Sequence, residues 1–118
     1  MPTSNNYVRL EGYAGHDPEI RRLETGKLLA KLNLATTDSW NDQNGQKMTK
    51  TEWHSVNFWG RQAELVEMSV KKGSYISVEG KLQYNTYEDK EGRKITRAVI
   101  TARQFTNYSQ FINQNQNA

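Results

Sequence analysis

The chain has 118 residues, no cysteine and a formal net charge of +3. This length allows one domain and excludes two of ordinary size, and the lack of cysteine excludes disulfides and thiolate metal sites. Hydrophobic residues make up 35% of the sequence, a lean content that favours a β fold with a thin core. No apolar run reaches membrane-spanning length and the N-terminus carries no secretory or transit pattern, so we expect a cytoplasmic location.

Alternation of apolar and polar residues predicts two strands in the first third of the chain. The stretch YVRLEGY, residues 7–13, is the first. The turn residues of GHDPE follow it, and residues 20–23 add at most a short strand. Residues 27–37 alternate again and predict a long second strand.

The next segment combines a polar stretch with an unusual strand. Residues 38–50, DSWNDQNGQKMTK, contain an Asn-Gly pair and predict a long hairpin loop with Trp40 inside it. Residues 51–60, TEWHSVNFWG, predict the third strand. Its period of two places Trp53 and Trp59 together on an otherwise polar face, where large apolar rings are costly to expose.

The period changes after the third strand. Residues 61–73, RQAELVEMSVKKG, carry an apolar stripe at helical spacing and predict one short helix. Lys71 and Lys72 are expected in its last turn, where cations stabilise the helix dipole, and Gly73 is expected as the C-terminal cap.

Two further strands complete the predicted fold. Residues 74–87 alternate over the longest stretch, with an inward Gly80 that indicates a bend or bulge. Residues 88–93 form a charged hairpin loop, and residues 94–105 predict the fifth strand. The polar residues 107–118 have nothing to bury and are expected to be a disordered stub.

This order of elements predicts an all-β fold, a five-stranded Greek-key barrel of the OB type with one short helix between strands three and four. The barrel domain is expected to occupy residues 1–106. A split ferredoxin-like sheet requires a second helix, and the pattern contains none.

The sequence carries no catalytic motif, so an enzyme is not expected and neither is a metal or cofactor. His54 lies on the inward face of the third strand and is predicted to be structural, while His16 sits in a turn and is predicted to be solvated. The acidic residues of loop 88–93 alternate with cations, which indicates a solvated loop tip rather than a metal site.

Exposed aromatic residues and cations form the strongest functional signal. Trp40, Trp53, Trp59 and Tyr87 fall on neighbouring elements of such a barrel. The cations interleaved with them are Lys31, Lys47, Lys50, Arg61, Lys71, Lys72, Lys81, Arg93 and Lys94. Aromatic rings stack on the open faces of unpaired bases, at roughly 1–3 kcal/mol per base, and lysine or arginine follows the phosphates. Rings of this kind also occur in oligomer interfaces, in peripheral packing and on carbohydrate-binding barrels, and periodicity does not separate these alternatives.

Several segments together resemble the bacterial single-stranded DNA-binding proteins. GHDPEIRRLETG, KLNLATTDSW, TEWHSVNFWGRQAE, VKKGSYISVEGKLQYNTY and DKEGR follow in the order and spacing of that family, and the likeness covers residues 7–105. The resemblance implies an OB barrel, self-association usually as a homotetramer with a dimer as the alternative, and sequence-independent binding of single strands in replication, repair and recombination. It also implies a bacterial, nucleoid-associated protein.

The resemblance assigns roles to particular residues. The base-stacking positions of the family match Trp40, Trp53, Trp59 and Tyr87, and the backbone-contacting positions match Arg61, Lys71 and Lys72. Lys81, one of the interleaved cations, is added to the predicted nucleic-acid-binding set.

The chain departs from the family pattern in two places. Gln83, Asn85 and Thr86 stand where many relatives carry cations, which predicts a weaker dependence of binding on salt. The acidic C-terminal tip typical of the family is not found, either through shortening or because this is a tail-less version, so recruitment of replication proteins through it is doubtful. The alternative hypothesis is a tail-less interaction module of a primosome, plasmid or competence system that binds DNA or RNA weakly.

Overall fold

The computed structural model describes residues 4–109. In chain order these residues form β1 (Val8–Ala14), β2 (Glu19–Arg22), β3 (Leu28–Asn41), β4 (Lys47–Trp59), α1 (Arg61–Ser69), β5 (Tyr75–Glu88) and β6 (Lys94–Asn107).

The five long strands close into a barrel. Their order is β1-β5-β6-β4-β3, and a further pairing of β1 with β3 joins the two ends. Strands β4 and β6 pair in parallel at Val56 and Ile100, while the other pairs are antiparallel. The short β2 adds to the outer edge of β3. This confirms the predicted all-β, five-stranded OB-type Greek-key barrel with one helix between the third and fourth long strands.

The barrel interior is filled by the apolar side of each strand. The largest fully buried side chains are Phe58, Leu32, Leu34, Ile76, Val56, Val66 and Val78. Phe58 meets Phe105 edge to face, with ring centroids 5.6 Å apart. Helix α1 closes one end of the barrel with Ala63 and Val66, which are both buried.

The predicted bend at Gly80 is confirmed. The register between β5 and β6 shifts between Glu79 and Gly80, as in a β-bulge. A Cβ atom on Gly80 would lie 2.1 Å from the carbonyl oxygen of Thr101. The glycine therefore lets two backbones approach closely where the long strand turns from the barrel into a projecting arm.

The prediction of a long loop at residues 38–50 is wrong. Strand β3 continues to Asn41 and β4 begins at Lys47, so Trp40 lies on a strand opposite Met48. The tip is tight because a side-chain oxygen of Asp42 accepts hydrogen bonds from two backbone N–H groups across the turn. Both faces of this projecting ribbon are exposed to water, so its sequence does not show the alternation of a barrel strand.

The predicted end of the helix is also wrong. Helix α1 ends at Ser69, and Val70 adopts an extended conformation that carries its side chain into the core. Lys71 and Lys72 therefore lie beyond the helix, in a β-turn closed by a 2.9 Å hydrogen bond from the Ser74 N–H to the Lys71 carbonyl. Gly73 has a φ of 88° there and serves this turn rather than a helix cap.

Strand β6 extends to Asn107, one residue past the predicted end of the barrel domain at residue 106. The Asn107 side chain is buried and donates a 2.8 Å hydrogen bond to the Ser69 carbonyl. The Ser109 hydroxyl accepts a hydrogen bond from the Tyr75 N–H. The rest of the predicted stub, residues 110–118, lies outside the described residues. Within residues 4–109, no helix is both long and apolar enough to cross a membrane.

Candidate nucleic-acid interface

Two tryptophans share the outer face of β4. Trp53 lies opposite Ala35 and Trp59 lies opposite Leu29 on β3. The two residues are 61% and 39% exposed, while the alternate residues Val56 and Phe58 fill the core. This is the arrangement that the sequence predicted for strand three.

A groove separates this face from the projecting arm of β5 and β6. We call it the arm groove; it has a volume of about 360 Å³. Its lining includes Lys31, Asn33, Ser55 and Asn57 from β3 and β4, Asn85 and Tyr87 from β5, and Arg97 and Ala98 from β6. A smaller hollow beside Trp53 shares Ser55 and Ala98 with the arm groove. Tyr87 and Trp53 therefore line two adjoining depressions that meet at Ser55 and Ala98.

Tyr87 carries a cation above its ring. The guanidinium carbon of Arg97 lies 5.7 Å from the ring centroid, within the range of a cation–π contact. Both side chains are exposed. Sequence reasoning missed Arg97, because only the register of the β5–β6 hairpin places it diagonally across from Tyr87.

The fourth predicted ring stands apart from the others. Trp40 is 48% exposed, so it is available at the surface as predicted. Alternation along β3 places it on the opposite face of the ribbon from Ala35 and Leu29, the partners of Trp53 and Trp59. The structure thus brings Trp53, Trp59 and Tyr87 to one side and leaves Trp40 on the other face.

The predicted cations occupy three separate places. Lys81 lies on β5 opposite Thr101, on the same side of the arm as Tyr87 by alternation. Arg61 begins α1, is exposed, and lies 3.6 Å from the Glu64 carboxylate. Lys71 and Lys72 are exposed in the turn after α1.

The electrostatics of the arm groove are mixed. Lys31 pairs across the strands with Glu19, which also lines the groove. The Arg21 guanidinium hydrogen-bonds the Glu19 carboxylate and lowers its pKa, with Lys31 contributing further, so Glu19 carries a negative charge at neutral pH. This charge opposes phosphate binding beside the two groove cations, Lys31 and Arg97.

Besides Arg61, two more of the interleaved cations are paired with carboxylates. Arg93 contacts Asp89 at 3.2 Å and Glu91 at 2.7 Å, and Lys50 lies 3.2 Å from Glu52. Their positive charge is partly offset, which leaves fewer free cations around the rings than the sequence suggested.

The histidines have structural contacts. His54 is partly buried, with its Nε2 atom 2.8 Å from the Thr36 hydroxyl, which confirms the predicted structural role. His16 lies in a turn, as predicted, and is half-exposed; its Nε2 atom also accepts a 3.1 Å hydrogen bond from the Asn33 N–H, a contact that the sequence did not predict. Among residues 4–109, no group of three or more histidine, aspartate and glutamate side chains is arranged to hold a metal ion.

A sequence model of the single-strand binding protein family matches residues 5–108. The chain belongs to this family. Its relatives include the single-stranded DNA-binding protein of Neisseria meningitidis, 37% identical over 99 residues, which cover 84% of this chain and 57% of the relative. A second family member, single-stranded DNA-binding protein 1 of Xylella fastidiosa, is 44% identical over 102 residues, 86% of this chain and 75% of that protein. The chain thus spans little more than half the length of the Neisseria relative.

Solved structures of the family share the fold. A deletion mutant of the single-stranded DNA binding protein from Thermus aquaticus matches with a TM-score of 0.75 and 32% identity, over 87% of this chain and 50% of that one. The Plasmodium falciparum SSB in complex with ssDNA matches with a TM-score of 0.77 and 25% identity, over 90% of this chain and 95% of that one.

Proposed function

We propose that this protein binds single-stranded DNA without sequence preference. The observation that carries the proposal is the pair of exposed rings, Trp53 and Tyr87, in two adjoining depressions, the larger of which also holds Lys31 and Arg97. Unpaired bases stack on such rings, and the cations neutralise the phosphates between them. Duplex DNA hides its base faces and gains little from this surface.

The dimensions of the arm groove support a single strand. Its volume of about 360 Å³ falls near the lower end of small-ligand pockets, which suits one nucleotide at a time and is far too small for a duplex. Trp59, at the other end of the same face of β4, would extend the path of the strand beyond the groove.

The remaining predicted residues are assigned to the same path. Trp40 would stack a base on the other face of the ribbon, and Arg61 follows Trp59 closely along the chain. Lys81, Lys71 and Lys72 would contact phosphates. With stacking at roughly 1–3 kcal/mol per base, four rings contribute about 4–12 kcal/mol before the cost of ordering the strand is subtracted.

Family membership and the site together support a binding protein rather than an enzyme. We propose that it protects single strands during replication, repair and recombination at the nucleoid of a bacterial cell. The resemblance further supports self-association as a homotetramer, with a dimer as the alternative. Sedimentation equilibrium over a range of protein concentrations distinguishes the two.

The weak-binding alternative has one observation in its favour. Within the described arm, Gln83, Asn85 and Thr86 provide no positive charge, and Arg93 at its tip is paired with carboxylates. A protein-interaction module with this surface would bind oligonucleotides only weakly at moderate salt.

Titration with oligo-dT, followed by tryptophan fluorescence at two salt concentrations, tests the proposal. We expect strong quenching that salt weakens, competition by oligo-rU to a measurable degree, and no competition by duplex DNA. An absence of quenching and of binding at moderate salt would reject single-strand binding and favour the interaction module.

A further inference from the structure

The ring of Trp53 rests directly on the backbone of Gly15. A Cβ atom added to Gly15 would lie 2.4 Å from Cζ3 and 2.9 Å from Cη2 of that ring, closer than non-bonded atoms approach. The positive-φ glycines of the described chain do not include Gly15. The glycine is therefore required here for the space that the indole ring occupies and not for an unusual backbone conformation.

The turn that carries Gly15 is fastened to β3 by a reciprocal pair of hydrogen bonds. The Gly15 N–H donates to the Asn33 carbonyl at 2.9 Å, and the Asn33 N–H donates to Nε2 of His16 at 3.1 Å. Because Nε2 accepts, the ring proton of the neutral imidazole lies on Nδ1, which is 2.6 Å from the Asp17 carbonyl and donates to it. The His16 imidazole thus links the backbone of the turn at Asp17 to the backbone of β3 at Asn33.

The same turn is fastened to the lysine turn after α1. A side-chain oxygen of Asp17 accepts a 2.8 Å hydrogen bond from the Lys72 N–H. The Ala14 carbonyl accepts a 2.8 Å hydrogen bond from the Gly73 N–H. Residues 14–17 therefore connect the outer edge of the Trp53 ring to the backbone that carries Lys71 and Lys72.

We propose that residues 14–17 form a platform that positions Trp53 for base stacking, with Gly15 and His16 as positioning residues that act through this ring. The proposal rests on the proposed single-strand binding. An exposed indole that is held at its outer edge loses less conformational entropy when a base stacks on it. The platform contacts the ring while Trp53 stays 61% exposed.

The first test is a double-mutant cycle between Gly15 and Trp53, with oligo-dT affinity as the readout. Trp53→Ala is expected to weaken binding roughly 5- to 150-fold, the value of one stacked base. Gly15→Ala is expected to weaken it about tenfold because the added methyl displaces the ring. In the Trp53→Ala background, Gly15→Ala is expected to leave the affinity unchanged.

A shorter ring provides a matched rescue. Phenylalanine at position 53 lacks the outer indole atoms that overlap a Cβ of Gly15. We therefore expect Gly15→Ala with Trp53→Phe to bind as well as Trp53→Phe alone and to recover the thermal stability lost in Gly15→Ala. If Gly15 acts independently of the ring, the losses of oligo-dT affinity and of thermal stability caused by Gly15→Ala would both persist in the Trp53→Phe background.

His16→Ala separates positioning from direct contact with the strand, since His16 also borders the arm groove. It is expected to weaken oligo-dT binding several-fold in the parent protein and not at all in the Trp53→Ala background. A loss that persists in that background would overturn the positioning role of His16 and assign it a contact with DNA. His16→Ala also keeps the platform testable if Gly15→Ala fails to fold.

The state of the ring can be followed without DNA. In a Trp40→Phe, Trp59→Phe background, Trp53 is the sole tryptophan, and Gly15→Ala is expected to raise its acrylamide quenching and lower its fluorescence anisotropy. An unchanged ring in Gly15→Ala, or parental oligo-dT affinity, would overturn the platform. A parent protein that binds no oligo-dT would instead reject the proposed function, and the ring measurement would still decide whether the platform holds Trp53.

Discussion

Two aromatic surfaces of this barrel differ in what surrounds their rings. On the side of β1 and β5, Tyr75 lies between Tyr13 and Tyr108, with ring centroids 4.9 and 5.7 Å away. The hydroxyls of Tyr75 and Tyr108 each lie 3.4 Å from the Glu11 carboxylate. We call these three rings the tyrosine cluster; Tyr75 packs against the other two rings, and two of the three hydroxyls face one carboxylate.

The rings beside the arm groove have a different environment. Among the described residues, no ring of Trp53, Trp59 or Tyr87 stacks on another aromatic ring. The nearest charged partner of Tyr87 is the Arg97 guanidinium. Since Tyr13 is 59% exposed and Trp53 is 61% exposed, exposure does not distinguish the two surfaces. What distinguishes them is that Tyr87 faces a cation, whereas the rings of the tyrosine cluster pack on one another beside an acid.

The largest expected difference comes from truncating one ring on each surface. Trp53→Ala should weaken oligo-dT binding roughly 5- to 150-fold because it removes one stacked base. Tyr13→Ala, equally exposed but in the tyrosine cluster, should leave the affinity within about twofold. Fluorescence anisotropy of labelled oligo-dT measures both. If both variants lost the same affinity for oligo-dT, DNA binding would not be specific to the rings beside the arm groove.

Removing one arginine from each surface should sharpen the comparison. Arg97→Ala removes both the cation over Tyr87 and a phosphate contact, so binding should weaken about fivefold and the slope of log K against log salt should become shallower by roughly 0.7. Arg9→Ala, which breaks the Arg9 ion pairs with Glu11 and Glu79, serves as the control. A slope that changes in Arg9→Ala and not in Arg97→Ala would place the strand on the tyrosine side.

Removing a negative charge should have a smaller effect of opposite sign. Glu19→Gln deletes the carboxylate that lines the arm groove, and oligo-dT binding should tighten roughly twofold at low salt. Glu11→Gln deletes a carboxylate in the tyrosine cluster and should not change the affinity. Titrations at several salt concentrations test this, since the gain from Glu19→Gln should vanish at high salt.

The smallest expected effect concerns stability and pH. A hydrogen bond and the charge of Arg9 lower the pKa of Glu11 from its ordinary value of 4.5. A lowered pKa in the folded state adds stability above the ordinary value, and this contribution disappears as pH falls through the lowered value. The melting temperature of the parent should therefore exceed that of Glu11→Gln slightly at pH 7, and the two should converge in acid. A difference that grows in acid would contradict the assignment.

Local sequence patterns predicted the barrel because each of its strands is buried on one side. Alternation located the five long strands, and Gly80 marked the bulge that the β5–β6 register contains. The pattern failed for residues 38–50, where both faces of the ribbon meet water. It also failed after Ser69, because the two lysines favour a helix while the burial of Val70 requires an extended backbone.

The sequence by itself determined the fold class, the family and the surface exposure of the predicted stacking rings, since these follow from local periodicity and motif order. Only the tertiary structure decided which rings share a surface, because barrel closure and hairpin register set distances between residues far apart in the chain. It placed Arg97 over Tyr87, turned Trp40 to the other face of the ribbon and brought Gly15 beneath Trp53. A glycine in a turn carries no sign of the ring it supports until the chain is folded.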